Sequence, residues 1–76
     1  MNMKDSLYFL SMKKGDLALL YFPESDVKIA TRHLMRWVYG CPALLEELLA
    51  TGYHVSQKVL TSRQVALITH YLGSPG

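Results

Sequence analysis

Glycine and proline punctuate this chain so often that no long element fits between them. They fall at Gly15, Pro23, Gly40 with Pro42, Gly52 and Gly73, and each is a residue type that ends a helix or opens a turn. The pieces between them have the length of short helices and short strands, so the chain reads as a small bundle of such elements rather than as one long helix. Neither an internal repeat nor a low-complexity stretch breaks this pattern. Half of the 76 residues are apolar. A chain of this size buries only about 60% of its unfolded surface, so one compact core must use most of those residues. Eight Lys and Arg against six Asp and Glu leave a formal net charge of +2, too small a charge at too high an apolar content for a disordered chain. We expect one domain over residues 1–76, with residues 1–6 flexible.

Leu7-Tyr8-Phe9-Leu10 leans towards β through its aromatic residues and is too short for a helix, which predicts a short strand. From Lys14 to Phe22, the residues Leu17, Ala18, Leu20 and Tyr21 share one helical face, and Pro23 ends the run. Ser25 is the expected N-cap of a second helix with Asp26 in its first turn. Within it Val27, Ala30, Leu34, Trp37 and Val38 recur at three- and four-residue steps, with Ala30, Leu34 and Trp37 expected on the buried side, before Gly40 supplies a left-handed stop. Pro42 opens a third helix, with Leu44, Leu45, Leu48 and Leu49 opposite Glu46 and Glu47, which Gly52 closes. Lys58-Val59-Leu60 is expected to form a strand against residues 7–10. Thr61 followed three residues later by Gln64 is a capping box, and Leu60 and Val65 can form a hydrophobic staple beside it. The last helix then carries Val65, Leu67, Ile68, Tyr71 and Leu72 up to Gly73. The fold class is mainly α: about four helices, a helix-turn-helix-like unit over residues 14–39, and one short two-stranded β pair.

Little in the chain points to catalysis. Cys41 is its single cysteine, which excludes an internal disulfide and fits the reducing cytosol. No apolar run reaches the roughly 18–20 residues of a membrane span or the core of a signal peptide. We therefore expect a cytoplasmic protein with no membrane partner. His33, His54, His70 and Cys41 lack the short paired spacing of zinc ligands, and no residue near them completes a nucleophile and base pair. Glu46 and Glu47 diverge by about 100° on a helix instead of converging on a substrate. With no phosphate loop or nucleophile elbow either, we expect a non-enzymatic protein with no metal, no cofactor and no small-molecule substrate.

One pattern stands apart. Lys28, Arg32 and Arg36 are four residues apart, so they stack along one side of the second helix, flanked by Met35 and Tyr39. No acidic residue lies between Val27 and Tyr39. Any amphipathic helix needs a solvated face, and Lys and Arg are common there. Aligned cations with a nearby tyrosine are also what phosphate contact needs.

A short helix, a turn at Pro23-Glu24-Ser25 and a longer basic helix resemble a helix-turn-helix, in which the second helix enters the DNA major groove. Phe22 and Pro23 stand where a glycine turn is usual, and Glu24 and Asp26 place negative charge at the approaching end. Between Asp16 and Pro75, the segments Leu17-Ala18-Leu19-Leu20-Tyr21-Phe22-Pro23, Arg32-His33-Leu34-Met35-Arg36-Trp37, Gly52-Tyr53, Leu60-Thr61-Ser62-Arg63-Gln64-Val65 and Tyr71-Leu72-Gly73-Ser74-Pro75 resemble a family of short Bacteroides proteins carried as a domain of unknown function. That resemblance implies no activity. The order Gly-Tyr, Leu-Thr, Val-x-x-Ile is also similar to the end of excisionase-like and mercury-resistance-regulator-like winged domains, which implies a short wing before the last helix. The leading expectation is a DNA-binding regulatory protein that contacts duplex DNA through Lys28, Arg32, Arg36 and Tyr39. The alternative is a protein-interaction adaptor whose Met35, Tyr39 and Arg36 face meets a protein partner or a second copy of the chain.

Overall fold

The computed structural model describes residues 11–75; the strand expected at residues 7–10 and the flexible segment expected at residues 1–6 lie outside the described residues. The chain runs β1 (Met12–Lys13), α1 (Lys14–Tyr21), α2 (Val27–Tyr39), α3 (Pro42–Ala50), β2 (Val59–Leu60) and α4 (Ser62–Leu72). It is the small, mainly helical domain that the sequence predicts, with a short antiparallel ribbon. Among the described residues, the partner of β2 is Met12–Lys13, in the register Met12 to Leu60 and Lys13 to Val59. The ribbon can form there because α1 begins immediately after it, and the Lys14 amide continues the ladder to the Lys58 carbonyl at 2.7 Å.

Among the described residues, eleven apolar side chains form the core: Leu17 and Ala18 of α1, Ala30, Leu34 and Val38 of α2, Leu44 and Leu48 of α3, Tyr53, Leu60, and Val65 and Ile68 of α4. Ala18 and Ala30 are small, which lets α1 and α2 cross closely. At the start of these two helices the approach is closer still. A Cβ added to Gly15 would lie 2.6 Å from Val27 Cγ2, a separation that two carbon atoms cannot share.

Three local expectations are corrected. Asp26, rather than Ser25, caps α2, its Oδ1 accepting from the Ile29 amide at 3.0 Å. Ser25 lies one residue earlier, in the turn, where its amide donates to the Phe22 carbonyl at 3.2 Å. Gly40 is right-handed, with φ −78° and ψ −5°. Its amide bonds the Arg36 carbonyl at 3.0 Å and the Cys41 amide bonds Val38 at 3.1 Å, so the chain turns into α3 without a left-handed residue. Gly52 does adopt a positive φ of 91°.

Trp37 is the third. It is 46% exposed, not buried. The buried stripe of α2 is Ala30, Leu34 and Val38, and Trp37 sits about 60° around the helix from Leu34. The close α1–α2 crossing has no room for an indole, so the ring lies on its flank. There it packs on Phe22 at 4.8 Å and edge-on to Tyr21 at 6.1 Å between ring centroids.

The expected capping box is present in full at α4. Thr61 Oγ1 accepts from the Gln64 amide at 3.2 Å, while Gln64 Oε1 accepts from the Thr61 amide at 2.9 Å.

Candidate nucleic-acid interface

α2 carries the basic residues, and its geometry follows from where its core stripe points. With Leu34 as the centre of the buried side, Arg32 and Arg36 lie about 160° away and Lys28 about 120° away. All three are exposed. Among the described residues, no hydrogen bond or ion pair engages their side chains. Tyr39 sits about 140° from Leu34 and is also exposed. Met35 differs: it is half-buried, and its sulfur receives the Tyr53 hydroxyl at 3.8 Å. Burial raises the Tyr39 hydroxyl above its usual range, and the neighbouring Tyr53 adds to the shift.

The acidic end of α2 is partly accounted for. The Asp26 carboxylate is held on the Ile29 amide, where the positive end of the helix dipole stabilises it. Glu24 remains exposed in the turn. At the opposite flank, Phe22, His33 and Trp37 make an aromatic cluster, with the His33 ring 5.3 Å from Phe22. That cluster fixes the turn of residues 22–26 against α2, and so fixes how α1 presents its neighbour.

Other lysines join the site in a way that sequence spacing does not reveal. An open groove of about 860 Å³ runs between the ribbon and the first turns of α1 and α2, lined by Lys13, Lys14, Lys28 and Lys58 with Asp16 as its acidic residue. Lys13 and Lys58 are far apart in the chain, and only the ribbon register brings them together. The Lys13-Lys14 doublet is visible in the sequence, but no local pattern names Lys58 as its neighbour. Lys14 is 8% exposed. Its Nζ donates to the Val55 carbonyl at 3.0 Å and sits 5.2 Å from the centroid of the Tyr53 ring. Burial holds its pKa below the ordinary lysine value.

The remaining candidates stay apart. His33 packs on Phe22, His54 lies beside Ser56 with Nδ1 and Oγ 3.0 Å apart, and His70 stacks edge-on to Tyr71. Cys41 is half-buried at the start of α3. Glu46 and Glu47 are exposed, and Glu47 accepts a short hydrogen bond from the Tyr71 hydroxyl. Among the described residues, no three His, Cys, Asp or Glu side chains converge as a metal site, and no helix is long and apolar enough to cross a membrane.

Neither a curated protein nor a solved structure matches the chain. The model of one family, described as a domain of unknown function (DUF4248), matches residues 10–75. Since that match takes in the ribbon, all four helices and the basic side of α2, the chain belongs to the DUF4248 family.

Proposed function

We propose that this domain binds duplex DNA through the outward side of α2, as a non-enzymatic regulatory protein. The observation that carries this reading is the exposure of Lys28, Arg32 and Arg36 together on one side of a helix that contains no acidic residue. Its rigid seat on α1 supports it further. From Lys28 to Arg36 the helix advances about 12 Å at about 1.5 Å per residue, which matches the roughly 12 Å width of the B-DNA major groove. Cations at both ends of such a segment reach phosphates on either wall, and Arg32 between them is long enough to reach a guanine edge. Tyr39 adds a hydroxyl for a phosphate oxygen.

Fluorescence anisotropy with labelled duplexes at about 50 mM salt tests the reading, because phosphate contacts are strongest at low ionic strength. The wild type is expected to bind, with an affinity that falls linearly with salt on a double-logarithmic plot. Replacing Lys28, Arg32 and Arg36 by Ala should flatten that slope by about 2.7, at roughly 0.9 for each phosphate that is no longer neutralised, and leave the circular dichroism spectrum unchanged. If the wild type binds none of a varied set of duplexes, the reading is wrong and the adaptor reading takes its place. A protein partner held mainly by apolar contacts would be retained at high salt.

A further inference from the structure

We infer that the lysine-lined groove beside α2 is a second phosphate-binding surface, in which Lys13 and Lys58 of the ribbon grip the nucleic-acid backbone next to the segment that α2 contacts. The inference rests on the DNA-binding reading and extends it to residues outside α2. Its basis is continuity. Lys28 belongs both to the basic side of α2 and to the lining of the groove, so the cations of the helix and those of the ribbon form one connected surface around the N-terminal end of α2. Two isolated basic patches could each hold a small anion, but a connected one suits an extended polyanion that passes from one to the other.

The groove's own chemistry agrees. Of its charged lining residues, four are lysines and one, Asp16, is acidic. Lysine acts as a compact point charge on a flexible stem, which fits phosphate without demanding one fixed geometry. Lys13, Lys28 and Lys58 have exposed side chains. Lys14 differs from them, because its ammonium is committed to the Val55 carbonyl and the Tyr53 ring. It therefore works as a positioning residue: it pins the loop that leads to Lys58, and its charge adds to the potential of the groove. Ribbon pairing does the rest, since Lys13 opposes Val59 and the Lys14 amide bonds Lys58. These contacts place both residues in the lining of the groove.

The experiment is the same duplex titration, run on the full chain with Lys13 and Lys58 replaced together, by Ala in one variant and by Arg in another. Counting Lys13 and Lys58 with the three cations of α2 gives five phosphate contacts, for which the expected wild-type slope is about −4.5. The Ala pair should flatten it by about 1.8, at roughly 0.9 for each phosphate, and the Arg pair should restore it. Both side chains are exposed, so the melting temperatures should match the wild type; a melting shift in the Ala pair that the Arg pair does not share leaves the slope as the deciding readout, since slope reports phosphates neutralised in the bound state rather than the folded fraction. A wild type that binds while the Ala pair keeps the full slope overturns the groove and leaves the α2 reading standing. A wild type that fails to bind overturns both.

Discussion

Trp37 shows how a single side chain can satisfy helical periodicity and still face water. Its three-residue step from Leu34 is a core spacing, yet the indole ends on the flank of the α1–α2 crossing against Phe22 and Tyr21. Large aromatic rings are often only partly buried, because small domains seldom hold a space of that size. Trp37→Ala should therefore cost about 2 kcal/mol, roughly half of the 3–5 kcal/mol for a fully buried aromatic ring. Since Trp37 is the one tryptophan of the chain, its fluorescence reads the site directly. Acrylamide should quench it readily in the folded protein, and resistance to quenching would contradict the half-exposed placement. The same scale explains why the basic side of α2 is readable from the sequence alone. Lys28, Arg32 and Arg36 need only the four-residue repeat, and polar residues opposite an apolar stripe have nowhere to point but outward. Lys13 and Lys58 need the fold.

Each helix is legible where its own residues declare its ends. α4 begins where Thr61 and Gln64 say it should, and α3 begins at Pro42. Boundaries escape the sequence where two adjacent residues are both competent caps: Ser25 and Asp26 each offer a side-chain oxygen, and the turn sets Asp26 against the Ile29 amide. The ribbon is harder to read. Two residues per strand carry no periodicity, so the identity of the partner of Val59–Leu60 can come only from tertiary placement. Gln64 illustrates the gap between a motif and its full role. It is 2% exposed. Beyond the capping box, its Nε2 donates to Thr51 Oγ1 at 2.9 Å and its Oε1 accepts from Gln57 Nε2 at 2.6 Å. One buried amide thus ties the end of α3, the loop before β2 and the start of α4. Gln64→Leu keeps the volume and strands these partners, so it should destabilise by about 2–3 kcal/mol, at the upper end of the cost for orphaning buried polar groups. Thr61→Ala removes only the cap acceptor and should cost about 1 kcal/mol. Urea denaturation of the two variants side by side checks the order, and equal losses would show that the ties to Thr51 and Gln57 contribute nothing beyond the cap.

Across the whole molecule, phenol groups make alkaline conditions the weak side of the fold. The Tyr71 hydroxyl is raised above its usual value, first by its hydrogen bond to Glu47, and burial raises Tyr39 and Tyr53. A group whose folded pKa is raised contributes stability that is fully present below the unfolded value of about 10 and is lost as pH rises through the folded one. Lys14 has the opposite sign: folding disfavours its charged form, so its penalty fades over the same alkaline range. Three raised hydroxyls against one lowered amine predict a net loss of stability above about pH 10. Tyr71→Phe should weaken that loss, as measured by urea denaturation between about pH 8 and 11; an identical pH profile in the variant would show that the Glu47 contact is absent in solution. The connection between α1 and the far end of the chain, where the Tyr21 hydroxyl donates to the Gly73 carbonyl, belongs to this scale as well, since no local pattern predicts a bond across 52 residues.

The brevity of the ribbon has a mechanical consequence. Opening free energies within a protein follow how much apolar packing and how many protected backbone bonds a segment would give up. The β1–β2 pairing spans two residues on each strand, whereas α1 and α2 are locked by Leu17, Ala18, Ala30 and Leu34 in the core. The molecule therefore joins a stiff half to a compliant rim, and the lysines of the rim can shift to meet an irregular surface while the helix beside them holds its orientation.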